Sequence, residues 1–252
     1  MKRLWCIWVM MLLAVSVGMA QAQESAGDIA EAARQHYEAG DYAAAVEAYQ
    51  LLLSAGVEDA TVYFNLGNAY YEQGELGLAL LFYRKAHELT PRDWELNINM
   101  GLVRQQRFIR QGEEVFLLDG LTAFTSGVMT FAELRGLAIL LWFGAFGVGL
   151  AYLLREGWRE VLRGPVIALV VCLAAVLILL GSRAYTYAMR PAAVVTEAVV
   201  TVMSGPGEDY LPIYRLYGAA EVRLLEARGE WVRFVLPDMR QGWMPRTAVT
   251  EV

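Results

Sequence analysis

The sequence predicts a multidomain protein: an α-helical repeat solenoid, then a two-helix transmembrane hairpin, then a small all-β barrel. Three observations predict it. Small and aromatic residues recur at a spacing of 34 positions in the first 110 residues. Two later runs of nineteen residues carry no charge. Beyond Pro191 the apolar residues switch to a period of two, broken by glycine-rich turns.

At 252 residues the chain has room for one large domain or two small ones. Its 57% hydrophobic fraction is high for a soluble protein, and the two uncharged runs supply much of the excess. The N-terminus supplies more. Lys2 and Arg3 precede an apolar run from Leu4 to Ala20, and Ala20-Gln21-Ala22 has the small-x-small form of a cleavage site. This predicts a signal peptide over 1–22 or, as the alternative, an uncleaved anchor helix; either carries the following segment across a membrane. Cys6 lies in that segment and Cys172 in an apolar run, so no disulfide pair is expected. From Gln23 to Met100 thirteen acidic residues stand against four basic ones. That balance argues against a nucleic-acid partner. It fits a solvated acidic face or a basic partner surface.

Within Ala60–Pro91, Gly67 and Ala79 are small enough to bring two helix backbones close, and Tyr70 and Tyr83 fill the space between them. Gly74 makes the turn, Pro91 closes the unit, and Tyr63, Leu66 and Ala86 complete the pattern. This spacing resembles a tetratricopeptide repeat (TPR), here 60–93. Moving the frame back by 34 residues finds a diverged copy at 26–59: Gly40 matches Gly74, Ala45 matches Ala79 and Tyr49 matches Tyr83. Trp94, Met100 and Gly101 keep the spacing of a further first helix, which Arg104, Gln105, Gln106 and Arg107 turn polar; 94–110 is therefore expected to cap the stack. The resemblance implies a protein-binding concave face at fixed positions of each first helix. Those positions hold Arg34, Tyr37, Phe64, Asn65, Asn68 and Tyr71, followed by Asn99 and Leu102. Asn65 and Asn68 are the strongest candidates, because an amide both donates to and accepts from a peptide backbone. The lysines that clamp a C-terminal carboxylate in chaperone-binding TPR domains are absent from these positions.

Residues 111–130 are expected to be a linker or an interfacial helix carrying Val115, Phe116, Leu118, Leu121 and Phe124. The uncharged runs Gly136–Leu154 and Gly164–Ser182 would each span about 28 Å as helices, close to a hydrocarbon core. They predict transmembrane helices over 134–154 and 164–183. Thr130 and Glu133 form a T-x-x-E capping box, so the first helix should begin near Phe131. The intervening 155–163 carries three arginines and two glutamates and is read as a cytoplasmic loop. With the signal segment, this places both flanking modules on the extracytoplasmic side of a bacterial inner membrane.

In 191–252, Val200 and Val202 alternate with Val199, Thr201 and Met203 before the turn Ser204-Gly205-Pro206-Gly207. Val222 and Leu224 precede Gly229, after which Val232, Phe234 and Leu236 alternate with Trp231, Arg233 and Val235. With Gly218, Gly229-Glu230-Trp231-Val232 and Gly242-Trp243-Met244-Pro245, this resembles a bacterial SH3-like (SH3b) domain. Such domains bind peptidoglycan or protein segments, which would make Tyr210, Tyr214, Trp231 and Trp243 candidate ligand contacts. Barrel packing is the competing explanation for both tryptophans.

No catalytic set is evident. His36 and His87 both fall in repeat helices, and neither has a second ligand at metal-binding spacing. His36 occupies the slot of Tyr70, which predicts packing. No metal, no cofactor and no enzymatic activity are expected. The order of parts resembles the BatE-type proteins of the bacterial aerotolerance (Bat) operon, most specifically in Asn65-Leu66-Gly67-Asn68-Ala69-Tyr70-Tyr71 and in the hairpin preceding Gly242-Trp243. That resemblance implies an integral membrane adaptor working with a MoxR-type AAA+ ATPase and von Willebrand A-domain membrane proteins, in envelope integrity or stress tolerance. The alternative is a cell-wall tether whose SH3-like domain binds peptidoglycan.

Overall fold

The computed structural model describes residues 26–106 and 125–252. The signal segment 1–22, most of the linker 111–130 and the end of the capping segment 94–110 lie outside the described residues.

Five helices come first: α1 (26–38), α2 (Tyr42–Ser54), α3 (Ala60–Glu72), α4 (Leu76–Leu89) and α5 (Trp94–Gln106). Their limits are encoded locally. Asp41, Asp59 and Asp93 each accept from backbone N–H groups of the turn that follows, which have no partner inside the helix. Gly40 and Gly74 end α1 and α3 at φ of +78° and +80°, a conformation that costs an L side chain about 1–2 kcal/mol. The same pair of backbone bonds recurs at both turns: Gly40 to Tyr37 and Asp41 to His36, then Gly74 to Tyr71 and Glu75 to Tyr70.

Burial follows the helical period. Val62, Leu66, Ala69 and Tyr70 face inward on α3, and Leu96, Met100 and Val103 repeat the first three of those positions on α5. Helices α3 and α4 approach at Gly67, where a Cβ would lie 2.6 Å from the Tyr83 ring. Tyr70 stacks on Phe82 with centroids 5.6 Å apart, and its hydroxyl accepts from Gln50 of the preceding unit at 2.6 Å. The packing expected of His36 is not found. Its ring is exposed, 4.0 Å from Asp41, because among the described residues no earlier helix stands where α2 stands for Tyr70.

Next come two apolar helices, α6 (Phe131–Leu154) and α7 (Arg159–Met189), joined by a short 3-10 turn at Glu156–Trp158. Thr130 and Glu133 make both bonds of the capping box that starts α6. The pair meets through Leu134, Ala138 and Val176, while most other apolar side chains point outward; Leu140 is 72% exposed and Ile178 66%. Both helices are long and apolar enough to cross a membrane. Helix α7 exceeds its apolar stretch at both ends. It starts within the expected loop 155–163, so Pro165 sits inside the helix and removes one backbone bond. It also continues past Ser182, and Arg183 donates to the Met129 carbonyl at 2.9 Å.

The C-terminal part is one antiparallel sheet of seven strands: β1 (Ala192–Val195), β2 (Val199–Met203), β3 (Pro212–Tyr217), β4 (Glu221–Arg228), β5 (Trp231–Val235), β6 (Gln241–Pro245) and β7 (Val249–Glu251). Its order is β3-β2-β6-β5-β4-β1-β7. Val200, Val202, Val222, Val232, Phe234 and Met244 share its core, and Val199 and Thr201 alternate outward.

The helical array and the sheet are packed on each other. Glu221, at the start of β4, accepts from Arg84 of α4 at 2.6 Å and from Nε and Nη2 of Arg104 of α5 at 2.9 and 2.7 Å. Burial pushes the Glu221 carboxyl up, but Arg104 and Arg84 outweigh it and hold the group down at about 2. Gly77, in the first turn of α4, lies so close to the end of β1 that a Cβ would meet the Val195 carbonyl oxygen at 2.5 Å. Val194 and Ala219 are buried in the helical array's own core.

Candidate functional site

Helices α1, α3 and α5 stand in equivalent positions of successive units, and together they border a groove of about 200 Å³. Helix α1 contributes Tyr37; α3 contributes Asn68, Tyr71 and Glu72; α5 contributes Glu95, Asn99 and Leu102. Tyr83 reaches in from α4 as the floor. Its side chain is 1% exposed, and its hydroxyl donates to Asn68 Oδ1 at 2.7 Å. Asn99 Nδ2 donates to the same oxygen at 3.1 Å. Asn68 therefore keeps its amide N–H donors, and Asn99 its carbonyl oxygen, without a partner among the described residues. The two side chains offer a complementary donor and acceptor to a peptide backbone.

The electrostatics are one-sided. Among the described residues, Glu72, at the end of α3, and Glu95, in the first turn of α5, are the charged members of this lining, and both are exposed. Burial, then Tyr37 and Tyr71, push the Tyr83 phenol up; burial, then Glu72, do the same for Tyr37. The phenols thus stay protonated at neutral pH in a negative environment. Gln106 donates to the Tyr71 hydroxyl and orients that ring.

Of the sequence candidates, Tyr37, Asn68 and Tyr71 come together here, with Asn99 and Leu102. Arg34 is engaged on its own helix, paired with Glu31 and Glu38 at the surface. Phe64 packs on Tyr83 with centroids 5.9 Å apart. Asn65 is not among the groove's lining; burial pushes the Tyr49 phenol of α2 up, and neighbouring Asn65 acts against it. Sequence reasoning missed Glu72, Glu95 and the polar role of Tyr83. The last had a signal, since a tyrosine buried between helices needs a partner for its hydroxyl.

The C-terminal candidates are dispersed. Tyr210 is half exposed, with its ring folded over Gly205. Tyr214 lies under Arg240, 5.2 Å from its ring centroid, and burial pushes its phenol up to about 12. Trp231 pairs with Pro245 across β5 and β6 and is partly buried. Trp243 is 7% exposed, with the Arg228 guanidinium 5.4 Å from its ring centroid. Among the described residues no three His, Cys, Asp or Glu side chains gather as a metal site.

No curated protein sequence matches the chain. Residues 60–93, which supply Asn68, Tyr71, Glu72 and Tyr83, match the tetratricopeptide repeat family model, and such repeats are typical of non-enzymatic protein-interaction modules.

Proposed function

We propose that the chain is a non-enzymatic membrane adaptor that binds partner proteins in the groove of its helical array. Helices α6 and α7 are the anchor, and the array and an SH3-like C-terminal domain work on the extracytoplasmic side of a bacterial inner membrane. One observation carries the reading: the groove bordered by α1, α3 and α5 stays open, with unpaired amide groups, while α4 and α5 are already covered by the chain's own sheet. The outward apolar side chains of α6 and α7 support the anchor, since water would be a poor solvent for so much apolar surface. Partners of the von Willebrand A-domain membrane class, with a MoxR-type ATPase, agree with the BatE-type order of parts.

The test is affinity purification of the tagged full chain from its own membranes in mild detergent, beside an Asn68→Ala/Tyr71→Ala variant. A von Willebrand A-domain protein should accompany the native chain and be lost from the variant. Equal recovery with both would remove the groove from the reading.

A second reading, the cell-wall tether, is favoured by the exposed run at the edge strand β3: Tyr210, Leu211 and Ile213 are 50%, 76% and 53% exposed. Sedimentation of the full chain with purified sacculi, abolished by Tyr210→Ala, would move the function there. The full chain is needed because the sheet shares its core with the helices.

A further inference from the structure

We infer that the groove is selective for an extended, cationic segment of the partner, with a lysine or arginine side chain seated beside Glu72 and the rings of Tyr37 and Tyr71. This deepens the adaptor reading and rests on it.

The argument begins with charge. Among the described residues the lining holds two carboxylates and no lysine, arginine or histidine. The nearby cation on α1, Arg34, is committed to Glu31 and Glu38. Two further cations of the array, Arg84 and Arg104, are committed to Glu221 of the sheet. Among the described residues the groove is left with two carboxylates and no cation, so a cationic occupant completes it and an anionic one is repelled. Glu72 also acts on the Tyr37 and Tyr83 phenols, which places carboxylate and rings in one neighbourhood. An ammonium or guanidinium seated there gains an ion pair and the electron-rich faces of Tyr37 and Tyr71 together.

The backbone part follows from the asparagines. An extended segment presents alternating carbonyl and N–H groups, which the Asn68 donor and the Asn99 acceptor can satisfy. A helical segment has already used those groups internally.

The test is selection of random dodecapeptides displayed on phage against the full chain in nanodiscs, with parallel selections on three variants. Glu72→Gln/Glu95→Gln removes the charge, Asn68→Ala/Tyr71→Ala removes the groove, and Glu47→Gln, an exposed acid on α2 outside the lining, controls for net charge. The expected peptides carry a lysine or arginine, survive on Glu47→Gln, and are lost on both double variants. Replacing that lysine by norleucine in the leading peptide should weaken binding about tenfold, and raising salt should narrow the difference. Groove-dependent peptides that are neutral or acidic, or that keep their cation preference on Glu72→Gln/Glu95→Gln, overturn this inference and leave the adaptor reading standing. Selection of no peptide that depends on Asn68 and Tyr71 sinks both.

Discussion

Two surfaces of the helical array use the same kinds of residue to different ends. Where α4 and α5 meet the sheet, Glu221 is enclosed by Arg84 and Arg104, so the acid has its cations, and Gly77 brings backbone against backbone. In the groove, among the described residues, Glu72 and Glu95 have no matching cation in the lining, and Asn68 and Asn99 keep hydrogen-bonding groups unpaired. A finished contact satisfies its polar groups because leaving them buried and unpaired is costly. The contrast between a completed surface and an incomplete one supports the proposed partner site in the groove.

The largest expected effect breaks the finished surface. Glu221→Ala leaves two guanidiniums facing each other in a mostly buried site and should destabilise the docked state by about 3–5 kcal/mol. Hydrogen exchange should show lost protection in α4 and β1 together. An effect confined to β4 would mean that the two parts dock independently of this carboxylate.

Acid should reach the same contact more gently. The Glu221 carboxyl is depressed from 4.5 to about 2, so its stabilisation is complete above the higher value and is lost as pH falls through the lower one. Docking followed by small-angle scattering in nanodiscs should be flat from neutrality to about pH 4.5 and weaken below it. A transition near neutrality would point to another group, with His87 the first to test: burial, then Arg84 and Arg104, push its imidazole down.

The smallest effect sharpens the contrast through two glycines. Gly77→Ala drives a methyl group into the Val195 carbonyl and should cost about 1–3 kcal/mol. Gly101 meets nothing within 4 Å, so Gly101→Ala should stabilise α5 by up to about 1 kcal/mol through helix propensity alone. Thermal unfolding of the two variants in one detergent checks the sign of each. Equal destabilisation would remove the distinction between a packed and an open side of the array.

Much of this was legible from residue order. The 34-residue period placed Leu66, Gly67 and Tyr83 in the repeat's core, where they are 0–1% exposed or in close contact. Gly40 and Gly74 share one turn geometry, as their shared repeat position implies. Thr130 and Glu133 cap α6, and the alternation of Val200, Val202, Val232 and Phe234 gave the inward face of the sheet. The groove was legible in part. Tyr37, Asn68 and Tyr71 line it, but Asn65 lies beside Tyr49 and Arg34 pairs along its own helix. Repeat position states which way a side chain leaves the helix, not whether a neighbour reaches it first.

By itself, the sequence determined the local limits and the inward faces: where helices start and stop, which residues point to a core, and which stretches are too apolar for water. These follow from backbone geometry and periodicity over a few residues, which any window of the chain contains. Only the tertiary structure decided that the sheet docks on the helices, that Glu221 meets Arg84 across 137 positions, and that the acids of the groove have no cation in its lining among the described residues. Those contacts join side chains from distant elements, and no spacing in the sequence records which surfaces the folded chain brings together.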